Sequence, residues 1–273
     1  MKALAAVNIH QYERTTEALA EYNRAVEIGF QIVLRARPDR IINAHLVRRD
    51  RVIAVVFGSD QGMCGQFNEQ IVLHTTQGLK VSNSGPHHHV VLAVGARVAA
   101  LLKETGLLVE ETFPVPGSVA GIVRLVEDLL AEIEVWRERL TVDHVIAYYN
   151  AHISNTAFVP REVGLLPIDL EWLNRLQARA WPDRTIPTFT MDWDRLFSAL
   201  IWQYLFVSIF RALAESLTSE NAARLVAMER AEKNIEERLQ ELSLRYQQQR
   251  QASITEELLE IVAGFEALAP DRK

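Results

Sequence analysis

The distribution of apolar residues, glycine and proline divides the chain into two terminal helices and a mixed middle segment. Between Pro187 and Gly264 there is neither glycine nor proline, and residues 1–37 contain a single glycine, Gly29. Because these two residue types interrupt helices, a continuous helix is predicted near each end. The predicted division is an N-terminal helix at 1–37, an α/β domain at 38–190, a long helix at 191–265 and a tail at 266–273.

The C-terminal helix carries a narrow apolar seam. After a foot at 195–215, the predicted coiled coil occupies 216–265. The seam steps by four, three and four residues, pauses at a polar interlude, and resumes with the same steps: Ile235, Leu239, Leu242 and Tyr246, then Ile254, Leu258, Ile261 and Phe265. The pause predicts a local loss of supercoil. From Asp192 to Val262 such a helix would be about 105 Å long, so we expect it to protrude or to be enclosed by partners.

The N-terminal helix has a matching apolar stripe. Its members step by three, four, four and three: Leu19, Tyr22, Val26, Phe30 and Val33. Two helices that each carry one narrow seam can bury those seams against each other. An antiparallel pair is predicted if both helices enter the same face of the middle domain, and the pattern also permits a parallel pair.

The middle segment alternates strand and helix patterns. Continuous β-branched runs predict a small, mostly parallel sheet with both faces covered. Helices are predicted from Phe67 onward and over Val119–Trp136. The predicted strands are Val52–Phe57, Val90–Val94, Val109–Phe113, His144–Tyr149 and Glu162–Ile168. The predicted fold class is therefore α/β, an antiparallel coiled coil of the terminal helices with an inserted Rossmann-like domain.

Charge and composition narrow the classes of function. The 273-residue chain has a net charge of −6 and a pI near 5.8, which argues against a nucleic-acid partner. Its one cysteine excludes an internal disulfide. The run from Leu196 to Phe210 is apolar around most of the helix. Its length of about 15 residues falls short of the roughly 20 needed to cross a bilayer. We therefore expect a foot that packs against the sheet on one face and against the N-terminal helix on another, and no transmembrane span.

A glycine-punctuated turn follows the first predicted strand, in the stretch VIAVVFGSDQGMCGQFN. Its glycines, Gly58, Gly62 and Gly65, match neither the dinucleotide fingerprint nor the P-loop, and no lysine follows to meet a phosphate. The turn is therefore interpreted as a tight connection from strand to helix, with Asn68 or Gln66 near the helix cap.

No other pattern points to catalysis or to a cofactor. Cys64 has no histidine or acid nearby in the sequence to activate its thiol, so a half-buried turn residue is predicted. The adjacent histidines at 87–89 cannot converge on one metal ion from the start of a strand. The adjacent carboxylates Glu110 and Glu111 point to different faces and are interpreted as surface charge. No catalytic, cofactor or metal site is predicted.

One segment resembles a known family. Residues 216–264, SLTSENAARLVAMERAEKNIEERLQELSLRYQQQRQASITEELLEIVAG, resemble the C-terminal signature of the γ subunits of F-type ATP synthases, close to SEQAARMVAMKAATDNA…LxLxYNKARQAxITxELxEIVxGA. The turn SDQGMCGQFN resembles that family's SDRGLCGGLN, and MKALAAVNIHQYERTTEA occupies the place of roughly AMxMVAAAKLRRAQ. The resemblance spans almost the whole chain and is most specific at the C-terminus.

The resemblance implies a central rotor stalk. In that family the two terminal helices form an antiparallel coiled coil inside a ring of three α and three β subunits. The α/β domain and the foot sit on the membrane ring of c subunits, beside ε. ATP is made on β, so the resemblance implies no catalytic site in this chain. It also implies a peripheral location at the cytoplasmic face of a bacterial inner membrane, or at the equivalent face of another energy-transducing membrane.

The resemblance also implies roles for residues of the C-terminal helix. Those that match the family's ARQAxITxEL would make polar contacts with a loop of the β subunit: Arg250, Gln251, Thr255 and Glu257. An arginine fork can engage a carboxylate in one rotor orientation and release it in another.

Further positions are implied nearer the base of the stalk. Glu220 and Arg224 match the family's SE…AAR and would tie the stalk near its base. Tyr204 aligns with a tyrosine of the foot that faces the c ring. The turn around Gln61 and Cys64 would lie under the hexamer and face β.

The chain also departs from the family pattern. Gln61 replaces an arginine, neutral NIHQ at 8–11 replaces the basic KLRR, and the first helix starts about two turns late. Two other classes of protein also remain compatible with the residues alone. One is an α/β enzyme with a coiled-coil dimerisation arm, and the other is a scaffold that self-associates through Ile235–Phe265.

Overall fold

A central sheet and two long terminal helices organise the chain. The computed structural model describes residues 2–37, 51–81, 89–140, 142, 144–154, 157–181, 185 and 187–268. In chain order the elements are α1 Lys2–Ala36, β1 Val52–Phe57, α2 Phe67–Val81, β2 His89–Val94, α3 Ala96–Glu104, β3 Val109–Phe113, α4 Val119–Leu140, β4 His144–Ser154, β5 Ala157–Leu166, α5 Leu170–Ala178 and α6 Trp193–Leu268.

The five strands form one sheet in the order β3-β2-β1-β4-β5. The first four strands are parallel, and β5 pairs antiparallel to β4 at the edge. Alternate residues of β1 enter separate cores on the two faces. Ile53, Val55 and Phe57 pack with α4 and α6, whereas Val52, Ala54 and Val56 pack with α2 and α3. Both faces of β1 are therefore covered, as its unbroken apolar sequence predicted.

The predicted elements of the middle segment are present, with differences at their ends. β1 and β3 have the predicted bounds, and β2 begins one residue early. β4 runs on to Ser154, and β5 begins at Ala157 instead of Glu162. Pro160 is tolerated in β5 because an edge strand needs hydrogen bonds on one side only. The helices α3 and α5 were not predicted, because each is only nine residues long.

The helices α1 and α6 run antiparallel. Trp193 Nε1 donates to Val33 O at 2.9 Å near one end of α1, and Asn8 Nδ2 donates to Asn221 Oδ1 at 3.5 Å near the other. Between them, a Cβ built on Gly29 would lie only 2.7 Å from Cδ2 of Leu200, so the two helices approach closely there. Residue numbers rise along one helix as they fall along the other, which confirms the antiparallel prediction.

The packing of α1 confirms one prediction and leaves another unmet. The foot was expected to pack against the sheet on one face and the N-terminal helix on another, and the N-terminal stripe was also offered as a match for the seam that begins at Ile235. In the structure Val26 and Phe30 pack against the foot of α6 and against α5, and Tyr22 of the stripe is half exposed. The foot also contributes Leu205 to the core beside the sheet.

The chain divides into two compact units, Met1–Ala227 and Met228–Lys273, and the boundary falls within α6. In the first unit, α6 contributes Ile209 and Leu213 to the core. By length and composition alone, α6 contains a stretch apolar enough to cross a membrane, with a mean hydropathy of 1.6 and 33% of it buried within the chain. A core helix passes the same test.

The second unit consists of the C-terminal part of α6, and its apolar side chains are exposed. The exposed members of the predicted seam are Ile235, Leu239, Leu242, Tyr246, Ile254, Leu258 and Ile261, each at least 46% accessible. Phe265, the last seam residue, has a side chain outside the described set. Some charged residues of this unit pair along the helix, such as Lys233 with Glu237.

Candidate functional site

The glycine turn closes on itself through a buried polar network. Asn68, near the start of α2, accepts from the Ser59 amide through Oδ1 at 3.0 Å and donates from Nδ2 to Ser59 Oγ at 2.7 Å. The Ser59 hydroxyl in turn donates to Gln61 O at 2.7 Å. Asn68 therefore fixes the turn from the first residues of the helix, at one of the two positions that the sequence indicated for the cap.

The amides of this turn are occupied by the protein itself. The Gly58 amide donates to Val94 O at 2.9 Å, and the Ser59 amide is held by Asn68. A Cβ at Gly58 would lie 2.3 Å from Cβ of Val98, so glycine is required there to let α3 approach. A phosphate cradle needs free N–H groups at a helix N-terminus, and these two amides are not free.

Asp60 connects the turn to two other elements. Its Oδ1 accepts from the Ala96 amide at the start of α3, and its Oδ2 accepts from the Val115 amide after β3, each at 2.9 Å. Both carboxylate oxygens are thus used in positioning backbone. Asp60 was not predicted from the sequence, although an acid two residues beyond the glycine that follows a buried strand was a signal for such a role.

Gln61 and Cys64 lie in the turn but differ in exposure. Gln61 is exposed, whereas Cys64 is only 1% exposed and contacts Asn68 and Ser59 through its sulfur. Cys64 is therefore fully buried, not half-buried as expected. Burial raises the pKa of its thiol, which disfavours the reactive thiolate. Any contact with a partner would come from exposed residues of the turn such as Gln61 and Met63.

A second polar network joins α6 to Asn150 of β4. Ser219 Oγ donates to Asn150 O at 2.9 Å, and Asn150 Nδ2 donates to Phe67 O, also at 2.9 Å. All of these atoms belong to buried residues. We call the turn at 58–68, Asn150 of β4 and residues 216–224 of α6 the junction. Neither residue was predicted: Asn150 is a polar side chain inside a mostly apolar run, whereas Ser219 stands among the polar residues 218–221 and gave no such signal.

Glu220 and Arg224 form an ion pair in the junction. Arg224 Nη2 donates to Glu220 Oε1 at 2.6 Å, and the two side chains are 15% and 7% exposed for Arg224 and Glu220 respectively. Burial raises the pKa of the Glu220 carboxyl. The Arg224 guanidinium lowers this pKa, and the negative charge of Asp60 raises it further. The pair that the family signature indicated is therefore brought together at the base of the second unit's helix. Its role in the assembly stays a prediction.

Tyr204 lies in an aromatic cluster of the foot. Its ring centroid is 5.1 Å from that of Trp172 in α5 and 6.3 Å from that of Phe30 in α1. Burial raises the pKa of its phenol. Tyr204 therefore joins three helices within the chain, and its predicted orientation toward a ring of c subunits stays a prediction.

The predicted contact residues of the second unit lie on an exposed stretch of α6. Arg250, Gln251, Thr255 and Glu257 are all exposed. Thr255 Oγ1 donates to Gln251 O at 2.8 Å. Within the described residues Arg250 and Glu257 make no ion pair or hydrogen bond. In contrast, Arg245, one and a half turns earlier, donates to Glu241 Oε1 at 2.5 Å.

The candidate metal positions give no cluster in the described part of the chain. His89 is buried at the start of β2, and residues 87 and 88 lie outside the described set. No group of three histidine, cysteine, aspartate or glutamate side chains among the described residues could hold a metal ion.

Solved structures share this arrangement of sheet and long terminal helices. A chain in the central stalk and c-ring of the Tetrahymena thermophila mitochondrial ATP synthase superposes with a TM-score of 0.60 at 21% identity, over 85% of this chain and 98% of that one. A chain in the OSCP, F1 and c-ring structure of the Euglena gracilis enzyme superposes with a TM-score of 0.61 at 17% identity, over 96% and 95%. The fold is thus that of ATP synthase central-stalk chains.

Sequence comparison identifies the family to which the chain belongs. The sequence model of the family described as ATP synthase matches residues 1–268. The ATP synthase gamma chain of Phocaeicola vulgatus is 30% identical over 97% of this chain and 91% of its own length. That of Granulibacter bethesdensis is 30% identical over 98% and 92%. The chain belongs to the ATP synthase γ-chain family, which confirms the resemblance seen in its motifs.

Proposed function

We propose that this chain is the central-stalk rotor subunit of an F-type ATP synthase, and that it couples ion-driven rotation of the c-ring to ATP synthesis or hydrolysis on the β subunits. Its family membership supports this role. The chain is part of a membrane-associated complex that makes or hydrolyses ATP. We further propose that it has no catalytic site of its own and contributes only mechanical coupling.

The exposed seam of the second unit is the observation that carries the proposal. Large apolar side chains such as Leu239 and Leu258 are more than half accessible along one stripe of α6. A contiguous apolar stripe of this kind marks a surface that other proteins cover. The α and β subunits of the catalytic hexamer are the proposed cover, and the helix would turn within them.

Coupling requires contacts that change with the rotor's orientation. A shaft that contacts every β subunit equally in all orientations would shift no conformational equilibrium. Arg250 and Glu257 are exposed charges with no partner among the described residues, so they are available to a loop of one β subunit at a time. Gln251 and Thr255 add neutral polar groups to the same stretch.

The remaining partners are proposed from the same assembly. The foot with Tyr204 would lie on the c-ring, and ε would bind beside the α/β domain. Gln61 in the turn would lie under the hexamer and face β. The complex would keep this subunit at the cytoplasmic face of a bacterial inner membrane, or at the equivalent face of another energy-transducing membrane, with no transmembrane span in this chain.

The test separates ATP hydrolysis from ATP-driven ion pumping in membranes that contain the assembled complex. Replacing Arg250→Ala should lower the pumping per ATP hydrolysed by about tenfold, because one charge-assisted hydrogen bond is lost in the orientation that needs it. The matched control is Arg245→Ala, since that arginine is already paired with Glu241 in its own helix. Pumping per ATP should change little in the control.

Two results would contradict the proposal. If both arginine variants lowered the ratio equally, the contact would not be specific to residues 250–257. If the purified chain formed a stable symmetric dimer through Ile235–Phe265 and did not assemble with α and β subunits, a scaffold would replace the rotor as its function.

A further inference from the structure

A polar cavity lies in the junction of the first unit. It has a volume of about 250 Å³ and is lined by four segments: the start of α1, the turn, residues 115–117 after β3, and α6. Its charged lining residues are Asp60, Glu220 and Arg224. The function proposed above uses Gln61 at the rim of this space and none of its charged residues.

One buried atom of this lining lacks a hydrogen-bond partner. Glu220 is 5% exposed, and its Oε1 accepts from Arg224, but its Oε2 is buried and has no partner. A buried carboxylate oxygen without a donor is costly, and native structures satisfy such groups. The Tyr12 phenol lines the same cavity but makes no hydrogen bond to this oxygen, so a donor that enters the cavity would satisfy it.

The charge of the lining favours a cationic donor. Two carboxylates face one guanidinium, so the lining carries one excess negative charge. Asp60 has both oxygens engaged by backbone amides, and Arg224 already occupies Glu220 Oε1. Glu220 Oε2 is then the one carboxylate oxygen of the lining without a donor. A single free oxygen suits a compact ammonium better than the planar fork of an arginine, which binds two oxygens at once.

The rest of the lining suits the stem of a lysine. Leu4, Val115 and Leu217 supply apolar surface beside the charged groups, and lysine buries its methylene chain against apolar surface while its ammonium contacts polar atoms. Beside the cavity, Leu4 is 68% exposed, and Met63 of the turn is 57% exposed. Exposed apolar groups around a polar recess are typical of a protein interface.

We propose that this cavity receives a lysine side chain from a neighbouring subunit, with the ammonium donating to Glu220 Oε2. The inference rests on the proposed function only for the presence of a neighbouring subunit at this face. The lysine anchors the base of the long helix to that neighbour, and its charge completes the Asp60, Glu220 and Arg224 cluster.

The site is tested first in the full chain alone, with pentylammonium as the probe and pentanol as its neutral analogue. Pentylammonium should raise the melting temperature in a saturable manner, and pentanol should not. Glu220→Gln should weaken the probe's binding by at least about tenfold, the loss of one hydrogen bond to a charged group. Glu215→Gln is the matched control on α6, since that carboxylate is paired with Arg211.

A second variant keeps the test valid if Glu220→Gln fails to fold. Gly117 lines the cavity, and a Cβ built on it meets nothing within 4 Å. Gly117→Leu should therefore fill the space with an apolar side chain and block the probe while Glu220 remains. Equal binding of pentanol, no response of the unaltered chain, or undiminished binding in both variants would overturn the proposal.

The source of the lysine is tested in the assembled complex with a zero-length carbodiimide, which joins a carboxylate to an amine in contact with it. The expected product links Glu220 to a lysine of another subunit. If the probe binds the full chain but no such link forms, the cation site stands and the neighbouring-subunit lysine is wrong. If the link forms but Arg250→Ala leaves coupling intact, the cavity proposal stands and the proposed coupling contact fails.

Discussion

Gly58 shows how a single residue permits the contact between the turn and α3. A Cβ at this position would lie 2.3 Å from Cβ of Val98, which is fixed to the backbone, and 2.8 Å from Asn68 Oδ1, which is held by its hydrogen bond from the Ser59 amide. We expect Gly58→Ala to reduce the free energy of unfolding by about 2–3 kcal/mol, as overpacking does, measured by urea denaturation. Gly62→Ala is the matched control, because its Cβ would meet nothing within 4 Å. Equal stability of the two variants would contradict the close approach.

Glu220 makes the stability of the first unit depend on pH. Burial raises the pKa of its carboxyl above the ordinary 4.5, so the folded chain retains this proton at a pH where the unfolded chain has lost it. The free energy of unfolding should therefore fall as pH rises from 4.5 toward the raised pKa. Glu220→Gln cannot ionise, so its stability should lack this part of the decline.

The measurement is the difference in unfolding free energy between the unaltered chain and Glu220→Gln over that pH range. As pH rises, the unfolding free energy of the unaltered chain should fall relative to that of Glu220→Gln. Removal of the exposed carboxylate at Glu236 by Glu236→Gln serves as control. If the unfolding free energy of the unaltered chain instead rose relative to that of Glu220→Gln, Arg224 would outweigh burial and lower the pKa of Glu220.

At the scale of elements, an aromatic cluster holds α1, α5 and the foot of α6 together. Phe30 is fully buried and makes edge-to-face contacts with Trp172 and Phe197 at 5.7 and 5.9 Å between centroids. Phe30→Ala should cost about 3–5 kcal/mol of unfolding free energy, the usual effect of removing a buried phenyl ring. Ile28 on the same helix is 41% exposed, and Ile28→Ala should cost much less.

Hydrogen exchange locates the effect of the Phe30 change. Amides of α1 and α5 should exchange faster in Phe30→Ala, because the contact that orders both helices is lost. Unchanged exchange in α5 would show that α5 is held by other contacts.

At the scale of the whole molecule, the continuity of α6 is the property that coupling needs. Residues 236–245 are helical, and most of their side chains are exposed. The triple change Glu237→Gly, Gln240→Gly and Ser243→Gly should loosen this stretch, since each glycine costs about 1 kcal/mol of helix stability relative to alanine. We expect ATP synthesis by the assembled complex to fall by about tenfold or more, while the complex still hydrolyses ATP.

Alanine at the same three positions is the control, because it removes the same side chains and retains the helix. Coupled ATP synthesis in the alanine variant should stay near that of the unaltered complex. If the glycine variant also synthesised ATP normally, stiffness of this stretch would not be required for coupling.

Much of the fold was predictable because its signals are local. The apolar runs of β1 and β3 gave their bounds directly, and the lack of glycine and proline after Pro187 predicted the long helix. In the junction, the sequence pointed to Glu220 and Arg224 and to Asn68. It did not indicate Asn150 or Ser219, because their hydrogen bonds join β4, α2 and α6, which are far apart in the chain.

The sequence by itself determined the class of the molecule: two helices that flank a covered sheet, an apolar seam beyond what one chain can bury, and the motifs of a γ chain. Periodicity and helix-breaking residues act over a few positions, so they can be read without a structure. The sequence offered both the foot and the later seam of α6 as partners for the stripe of α1, and only the tertiary structure showed that Val26 and Phe30 pack against the foot. The tertiary structure also decided that Glu220 is left with an oxygen unpartnered beside a cavity. Both outcomes depend on which apolar and polar surfaces meet in space, and residue spacing along one helix does not contain that information.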